Sequence, residues 1–338
     1  MRHSDGLRAG ATPSIIGPPI ALGHFNSPYI SVYPFSSGFG TKYANPATLP
    51  TFTGYSVAFS PNGANIAVAH AGGPRISVYP FSSGFGTKYA DPATALPETA
   101  FGVAFSPDGA NIAVAHANSP YISVYPFSSG FGTKYANPAT LPTGNGYGVA
   151  FSPDGANIAV AHDVSPFISV YPFSSGFGTK YANPATLPTG NGRGVAFSPD
   201  GANIAVAHDV SPCISVYPFS SGFGTKYANP ATLPGITGYS VAFSPNGANI
   251  AVAHRNSPRI NVYPFSSGFG TKYADPATLP ASFGNGVAFS PDGANIAVAH
   301  NTTPFISVYP FSSGFGTKYA NPGTLATNTG NSVAFSSV

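Results

Sequence analysis

The sequence predicts an all-β protein, a seven-bladed β-propeller with four-stranded antiparallel blades, and three observations lead to it. The segment ISVYPF recurs every 46 residues from Ile30 to Ile306, with the single variant INVYPF at Ile260. The segment VAFS recurs seven times at the same spacing, from Val57 to Val333. A repeat of this length is typical of solenoids, propellers and arrays. The third observation, at the two ends of the chain, favours the propeller.

The first unit lacks a VAFS segment, and the last VAFS segment has no unit after it. Residues 11–14, which align with VAFS, read ATPS, whereas residues 333–336 are a VAFS followed only by two residues. We therefore expect a ring closed by strand exchange, which also protects sheet edges. The predicted domains are an N-terminal tail, 1–16, and one propeller domain, 17–338. Its closing blade combines residues 17–50 with residues 331–338.

Each unit reads as four short strands joined by turns. VAFS is strand A, and SPDGAN or SPNGAN is a tight turn of Pro, Asp or Asn, and Gly. NIAVAH is strand B, and ISVYPF, with its β-branched and aromatic residues, is strand C. SSGFG is the next turn, and TKYANP is an outer strand D whose Lys and Pro suit a sheet edge. No stretch follows a helical period, which argues against helical repeats.

The composition excludes several classes of protein. Only 7% of residues are charged and 43% are hydrophobic, so the chain is not a disordered one. The single cysteine, Cys213, rules out an intrachain disulfide framework and a cysteine-based zinc cluster. A formal charge of +3 is too small to indicate nucleic acid as a partner. We find no secretion signal and no apolar run of membrane-spanning length, so a cytoplasmic or virion-associated protein is expected.

The segments FSPDG, NIAVAH and ISVYPF resemble the WD-repeat (Trp-Asp repeat) family of propellers. Tyr-Pro, for example Tyr125-Pro126, stands where that family places Trp-Asp, and the family's Gly-His pair before strand A is absent. The resemblance implies the blade but not the family's structural hydrogen-bond network. The near-identical units also look similar to repeats in bacterial and tailed-phage structural proteins, which implies a role in a phage particle.

The units differ from one another mainly in the B–C loop and in the loop from strand D to the next strand A. In an up-and-down blade both loops lie on one face, so one face varies and the other is nearly identical in all seven units. Two rings of variable residues result, rich in the residue types that dominate binding sites. Neutral drift at loop positions is the alternative. The first ring is Tyr29, Arg75, Tyr121, Phe167, Cys213, Arg259 and Phe305. The second ring, near the channel mouth, is Tyr55, Phe101, Tyr147, Arg193, Tyr239, Asn285 and Asn331.

Other chemistry has weaker support in the sequence. One histidine ends strand B in each unit, and seven residues so widely spread favour a structural hydrogen bond over a zinc site. Four aspartates share the A–B turn with two asparagines, which favours a turn role. Asp163 and Asp209 could bind a cation but read better as solvated loop residues. Seven lysines, one in each TKY segment, form an outer girdle rather than a nucleic-acid track.

These patterns predict a non-enzymatic binding or assembly scaffold that uses its variable face. Candidate binding residues are Tyr29, Arg75, Tyr121, Phe167, Arg259, Phe305, Tyr55, Phe101, Tyr147, Arg193 and Tyr239. The expected partner is a protein or larger assembly such as a phage particle, or a glycan, with no nucleic acid, no membrane insertion, no metal and no cofactor. A multivalent carbohydrate-binding propeller is the second hypothesis. A lactonase-like enzyme is the third, and it would need acid or histidine residues lining the channel.

Overall fold

The computed structural model describes residues 17–337, which contain 21 β-strands and no helix, and therefore no helix that could cross a membrane. The strands form seven sheets of three. The first strands of the repeat are β3 Gly54–Phe59, β6 Ala100–Phe105, β9 Gly146–Phe151, β12 Gly192–Phe197, β15 Gly238–Phe243, β18 Gly284–Phe289 and β21 Gly330–Phe335. The second strands are β1 Ile20–His24, β4 Asn65–His70, β7 Asn111–His116, β10 Asn157–His162, β13 Asn203–His208, β16 Asn249–His254 and β19 Asn295–His300. The third strands are β2 Ile30–Tyr33, β5 Ile76–Pro80, β8 Ile122–Pro126, β11 Ile168–Pro172, β14 Ile214–Pro218, β17 Ile260–Pro264 and β20 Ile306–Pro310.

The second strand lies in the middle of every sheet and pairs antiparallel with the other two. In β7, every residue from Asn111 to His116 is buried, which explains why this segment is apolar at successive positions rather than at alternate ones. The first strand begins three residues before the VAFS segment. A register shift, as between Ala100 and Gly102, bends its start.

The turn between the first two strands is held by its own side chains, as the SPDG pattern predicts. Ser106 Oγ donates to Asp108 Oδ1 at 2.5 Å, and the N–H of Ala110 donates to the same oxygen at 2.9 Å. Gly109 adopts a φ of 71°, a left-handed conformation that glycine takes without a steric penalty. These hydrogen bonds lower the pKa of Asp108, with the bond from Ser106 contributing most.

The prediction of four-stranded blades is not met, because the sheets have three strands and the TKYANP segment is not a strand. This segment does lie beside the third strand, and the N–H of Tyr43 donates to the carbonyl of Val32 at 2.9 Å. Among the described residues, Tyr43 makes the one backbone hydrogen bond from this segment to the third strand. Lys42 Nζ instead bonds to the side chain of Asn45, three residues on.

The sheet that begins the described chain is completed from its other end. β21 pairs antiparallel with β1, with Ala334 opposite Ala21 and Phe335 opposite Ile20. Each first strand contacts the first strands of the two neighbouring units, and β21 contacts both β18 and β3. The first strands are thus neighbours in cyclic order.

The core lies between consecutive sheets rather than within one of them. One apolar cluster joins Ala67 and Ile76 of one sheet to Val103 and Ile112 of the next. A polar link accompanies it, because the buried Tyr125 donates its hydroxyl to the carbonyl of Thr94 at 2.7 Å. Each unit repeats this bond, which ties every third strand to the loop before its own sheet.

Candidate active site

A cavity of about 630 Å³ opens where the first strands of all seven sheets begin. Its size lies in the range of small-molecule sites, which are concave and lined by aromatic residues with a few polar groups. The residue after the first glycine or alanine of each strand points into it. These seven residues are Tyr55, Phe101, Tyr147, Arg193, Tyr239, Asn285 and Asn331.

One side of the cavity is a continuous aromatic wall. The rings of Tyr55 and Phe101 meet edge to face at 5.1 Å between centroids, and Phe101 stacks on Tyr147 at 4.8 Å. The guanidinium carbon of Arg193 lies 4.5 Å from the centroid of the Tyr147 ring, a cation–π contact that extends the wall. Burial raises the pKa of Tyr55.

Arg193 is fixed at the cavity by an ion pair. Its Nη2 donates to Asp209 Oδ2 at 3.1 Å, and Asp209 Oδ1 accepts the N–H of Asn191 at 2.8 Å. Both side chains are partly exposed, 26% for Arg193 and 21% for Asp209. Arg193 is the one charged side chain among the described residues that line the cavity. The ion pair uses one of its five guanidinium N–H groups, so other donors remain for a ligand.

The opposite side of the cavity is polar. Asn285 Nδ2 donates to the carbonyl of Gly330 at 2.8 Å, and Asn331 Nδ2 donates to that of Gly54 at 2.9 Å. Each asparagine thereby binds the first strand of the next unit, which orients its amide. The sides of the cavity thus differ, although the backbone around it repeats sevenfold.

The structure separates the two rings of predicted binding residues. Tyr55, Phe101, Tyr147, Arg193 and Tyr239 all line the cavity. The residues of the other ring occupy a tight turn between the second and third strands, with φ values from 66° to 73°. Their carbonyls accept the N–H of the histidine that ends the second strand, as from His24 to Tyr29 at 3.0 Å. All seven residues of this ring lie outside the described lining of the cavity: Tyr29, Arg75, Tyr121, Phe167, Cys213, Arg259 and Phe305.

The histidines that end the second strands make hydrogen bonds within their sheets. In six sheets the Nε2 atom lies 3.0–3.1 Å from the Oγ of the serine seven residues on, as in His70 with Ser77. Burial lowers the pKa of His70 to about 4, so the ring is neutral at pH 7. Within residues 17–337, no three His, Cys, Asp or Glu side chains gather at a spacing that could hold a metal ion.

Sequence reasoning missed several cavity residues. Phe25, 51% exposed, and Asn301 reach the cavity from the loops after second strands. Ser56, Gly102 and their equivalents line it one residue further along the first strands. Only the strand register places these small residues at the wall, so residue type alone gave no signal.

No family model matches the chain, and no curated protein matches it in sequence, so the WD-repeat resemblance stays a prediction. Solved structures do match. A candidate 6-phosphogluconolactonase from Bacteroides uniformis is 17% identical, with a TM-score of 0.68 over 95% of this chain and 99% of that one. A periplasmic gluconolactonase from Pseudomonas aeruginosa is 16% identical, with a TM-score of 0.68 over 94% and 99%. A protein of unknown function from Desulfotomaculum acetoxidans is 14% identical, with a TM-score of 0.67 over 95% and 99%.

These comparisons correct the functional prediction. The expectation of a non-enzymatic scaffold, and with it of a protein that is not an enzyme, is wrong, because structural neighbours over nearly the whole chain bear lactonase names. Nothing in the comparisons supports a virion role. At 12–17% identity the likeness itself shows the fold, which is of the seven-bladed β-propeller type.

Proposed function

We propose that the protein is a lactonase-like hydrolase that opens the ring of a sugar lactone in the cavity around Arg193. The observation that carries this proposal is the asymmetry of the cavity. An aromatic wall, a fixed cation and two oriented amides meet in one concave site at the centre of otherwise repeated sheets. The lactonase names of the structural neighbours support the choice of reaction.

The proposal takes the seven sheets as the blades of a closed ring. The pairing of β21 with β1 and the cyclic contacts of the first strands support it. A closed ring matters for the site, because the cavity is lined by all seven first strands. Any gap between β18 and β3 would open its wall beside Asn285 and Asn331.

The aromatic wall would bind the flat, apolar face of the lactone ring. Phe101 and Tyr147 present stacked rings, and the amides of Asn285 and Asn331 lie across the cavity, where sugar hydroxyls need partners. A site that pairs such hydroxyls discriminates strongly against substrates that lack them.

Arg193 supplies the electrostatic part of the reaction. The acid or histidine residues expected to line the channel of a lactonase are not among the described residues that line this cavity, so the attacking water gives up its proton to solvent water. Its attack on the lactone carbonyl places negative charge on the carbonyl oxygen in the tetrahedral intermediate, and a preorganised cation stabilises that charge. Collapse of the intermediate breaks the bond to the ring oxygen, which takes a proton from water, and the product is a hydroxy acid. Asp209 acts as a positioning residue, because its ion pair holds the guanidinium at the cavity.

The test is an assay of the hydrolysis of gluconolactone, with and without a 6-phosphate. The rate is measured by the release of acid and corrected for the spontaneous opening of the lactone. We expect Arg193→Gln to lower kcat/KM by about 100-fold, the effect of removing one oxyanion donor. Arg255→Gln is the matched control. Arg255 lies 4.9 Å from the Phe283 ring centroid and does not line the cavity, so this variant should keep the wild-type rate.

Two results would contradict the proposal. One is a wild-type protein that does not accelerate the opening of either lactone. The other is an equal loss of rate in Arg193→Gln and Arg255→Gln, because a general effect of lost positive charge would then explain the result.

A further inference from the structure

The wall of the cavity contains backbone N–H groups that point away from their own sheets. Ser152 donates its N–H to Asn157 across β9 and β10, at 2.9 Å. Hydrogen-bonded and non-hydrogen-bonded pairs alternate along antiparallel strands, so Val149, opposite Val160, is a non-hydrogen-bonded pair. The N–H of Val149 is therefore turned toward the cavity. The same alternation of pairs turns the N–H of each equivalent valine toward the cavity: Val57, Val103, Val195, Val241, Val287 and Val333.

Serines from the preceding unit cover three of these N–H groups. Ser332 Oγ accepts the N–H of Val57 at 2.9 Å. In the same way Ser56 accepts from Val103, and Ser240 accepts from Val287, both at 3.3 Å. The covering residue is always the one just before the valine of its own strand.

Glycine replaces this serine in the other four units. A Cβ placed on Gly102 would lie 3.3 Å from the nitrogen of Val149, and one on Gly148 would lie 3.2 Å from that of Val195. A Cβ on Gly194 would lie 3.5 Å from the nitrogen of Val241. Glycine has no side chain to accept these bonds, so three consecutive strands, β9, β12 and β15, present uncovered N–H groups to the cavity. The fourth, at Val333, is separated from them by the covered Val287.

The sign of the local field favours an anion over water. The carbonyls of the same valines also leave their sheets on this side, so the backbone alone would suit either ligand. Arg193 stands two residues before Val195, in the middle strand of the uncovered arc. Its partner Asp209 binds one guanidinium nitrogen, but neither Asp209 nor any other carboxylate is among the described residues that line the cavity. Groups of backbone N–H donors beside a cation are typical of phosphate and sulfate sites.

We propose that the N–H groups of Val149, Val195 and Val241, together with Arg193, form a binding site for a small oxyanion such as phosphate. The arrangement of serines and glycines along the first strands determines where the site lies. This inference does not depend on the proposed lactonase activity, because it concerns binding of an inorganic ion without turnover.

The experiment is titration of the full-length protein with inorganic phosphate at constant ionic strength, by calorimetry and by the shift in Tm. The test variant is Gly148→Ser with Gly194→Ser, which gives the N–H groups of Val195 and Val241 a serine acceptor. Serine occupies the equivalent position in three other units, as Ser56, Ser240 and Ser332. A Cβ on Gly148 or Gly194 would approach a carbonyl oxygen of the next strand to 3.0 Å, so the Tm without phosphate must first show that the double variant is folded. Each lost charge-assisted bond should raise Kd by about tenfold.

Two further variants make the outcome specific. Gly286→Ser is the matched control, since it makes the same change at the isolated Val333 and should leave Kd unchanged. Its Cβ would lie 2.9 Å from the Cα of Ser332, so it serves as a control only if its Tm without phosphate equals that of the double variant or the wild type. Ser240→Gly should uncover Val287, which joins the arc to the already uncovered Val333, extends it to five consecutive donors and tightens binding. The proposal is overturned if the wild type binds phosphate without saturation or not at all. It is also overturned if Gly286→Ser weakens binding as much as the double variant. Saturable binding in a protein that opens no lactone would leave this site standing and remove only the proposed hydrolase activity.

Discussion

Six units share a buried hydrogen bond between a histidine and a serine, and the unit that contains residue 261 lacks it. Asn261 replaces the serine that meets His Nε2 elsewhere, and both side chains are buried. Burial lowers the pKa of His254 to about 4, and the neighbouring Asn261 opposes this effect. Yet the two nitrogens of His254 and the Oδ1 of Asn261 reach no hydrogen-bond geometry with any described residue. A buried polar atom without a partner is destabilising.

We therefore expect Asn261→Ser to raise the free energy of unfolding by about 1–3 kcal/mol. The restored serine would meet His254 as Ser307 meets His300, at 3.1 Å. Urea unfolding at pH 7 measures the change. The reciprocal variant Ser307→Asn should destabilise the protein by a similar amount, and an Asn261→Ser protein no more stable than the wild type would show that the mismatch has no energetic cost.

At the same scale, repeat position predicts where some residues lie. Tyr55 and Arg193 stand just before a predicted inner strand, which predicts a place near the channel mouth, and both line the cavity; their role in binding stays a prediction. The uncovered N–H groups could not be foreseen, since the direction of a backbone N–H depends on pairing parity. The tight turn at Tyr29 was also missed, because its φ of 68° has no marker in residue type.

Among the strands, β21 is the one whose neighbour lies furthest away in sequence. It brings the buried Val333 against Leu22, and Phe335 packs in the same apolar cluster. Without it, β1 would lose one of its two partners and expose an apolar edge. The displaced VAFS segment predicts this pairing, whereas the fourth strand predicted over TKYANP is not formed, because the segment makes a single backbone bond to its neighbour, from Tyr43 to Val32.

Deletion of residues 331–338 should therefore lower stability sharply, by about 4 kcal/mol or more, because it removes a valine and a phenylalanine from one cluster. Thermal unfolding followed by circular dichroism measures the effect. Removal of residues 337–338 alone is the control and should change Tm little. An unchanged Tm after the longer deletion would contradict the predicted strand exchange.

At the scale of the whole molecule, the buried histidines make stability depend on pH. Burial lowers the pKa of all seven, and to about 4 for His24, His70, His162, His208, His254 and His300. The pKa of an unfolded histidine is about 6.5, so between about pH 6.5 and pH 4 the unfolded chain binds protons that the folded chain does not. Stability is full above this window and falls as the pH drops through it.

Each of the six histidines with a pKa of about 4 should contribute a slope of about 1.4 kcal/mol per pH unit within the window, and His116 acts in the same direction. We expect urea midpoints to fall steeply from pH 6.5 to pH 5 and to stay level from pH 7 to pH 8. His300→Gln, which removes one titrating group, should make the slope shallower. The lowered pKa of Asp108 and its equivalents acts below about pH 4 and leaves this window to the histidines. A flat profile would mean that the histidines are accessible to protons in the folded protein.

The pairing of β21 with β1 also has a consequence for synthesis on the ribosome. The hairpin of β1 and β2 emerges early, but its third strand is translated roughly 300 residues later, on the order of 15–60 s at 5–20 residues per second. During that time the unpaired edge of β1 has a sequence similar to that of the second strands of the other units, each of which pairs with a VAFS segment. The nascent chain must therefore hold one sheet incomplete while six near-identical VAFS segments pass by, and the correct one is the last to arrive.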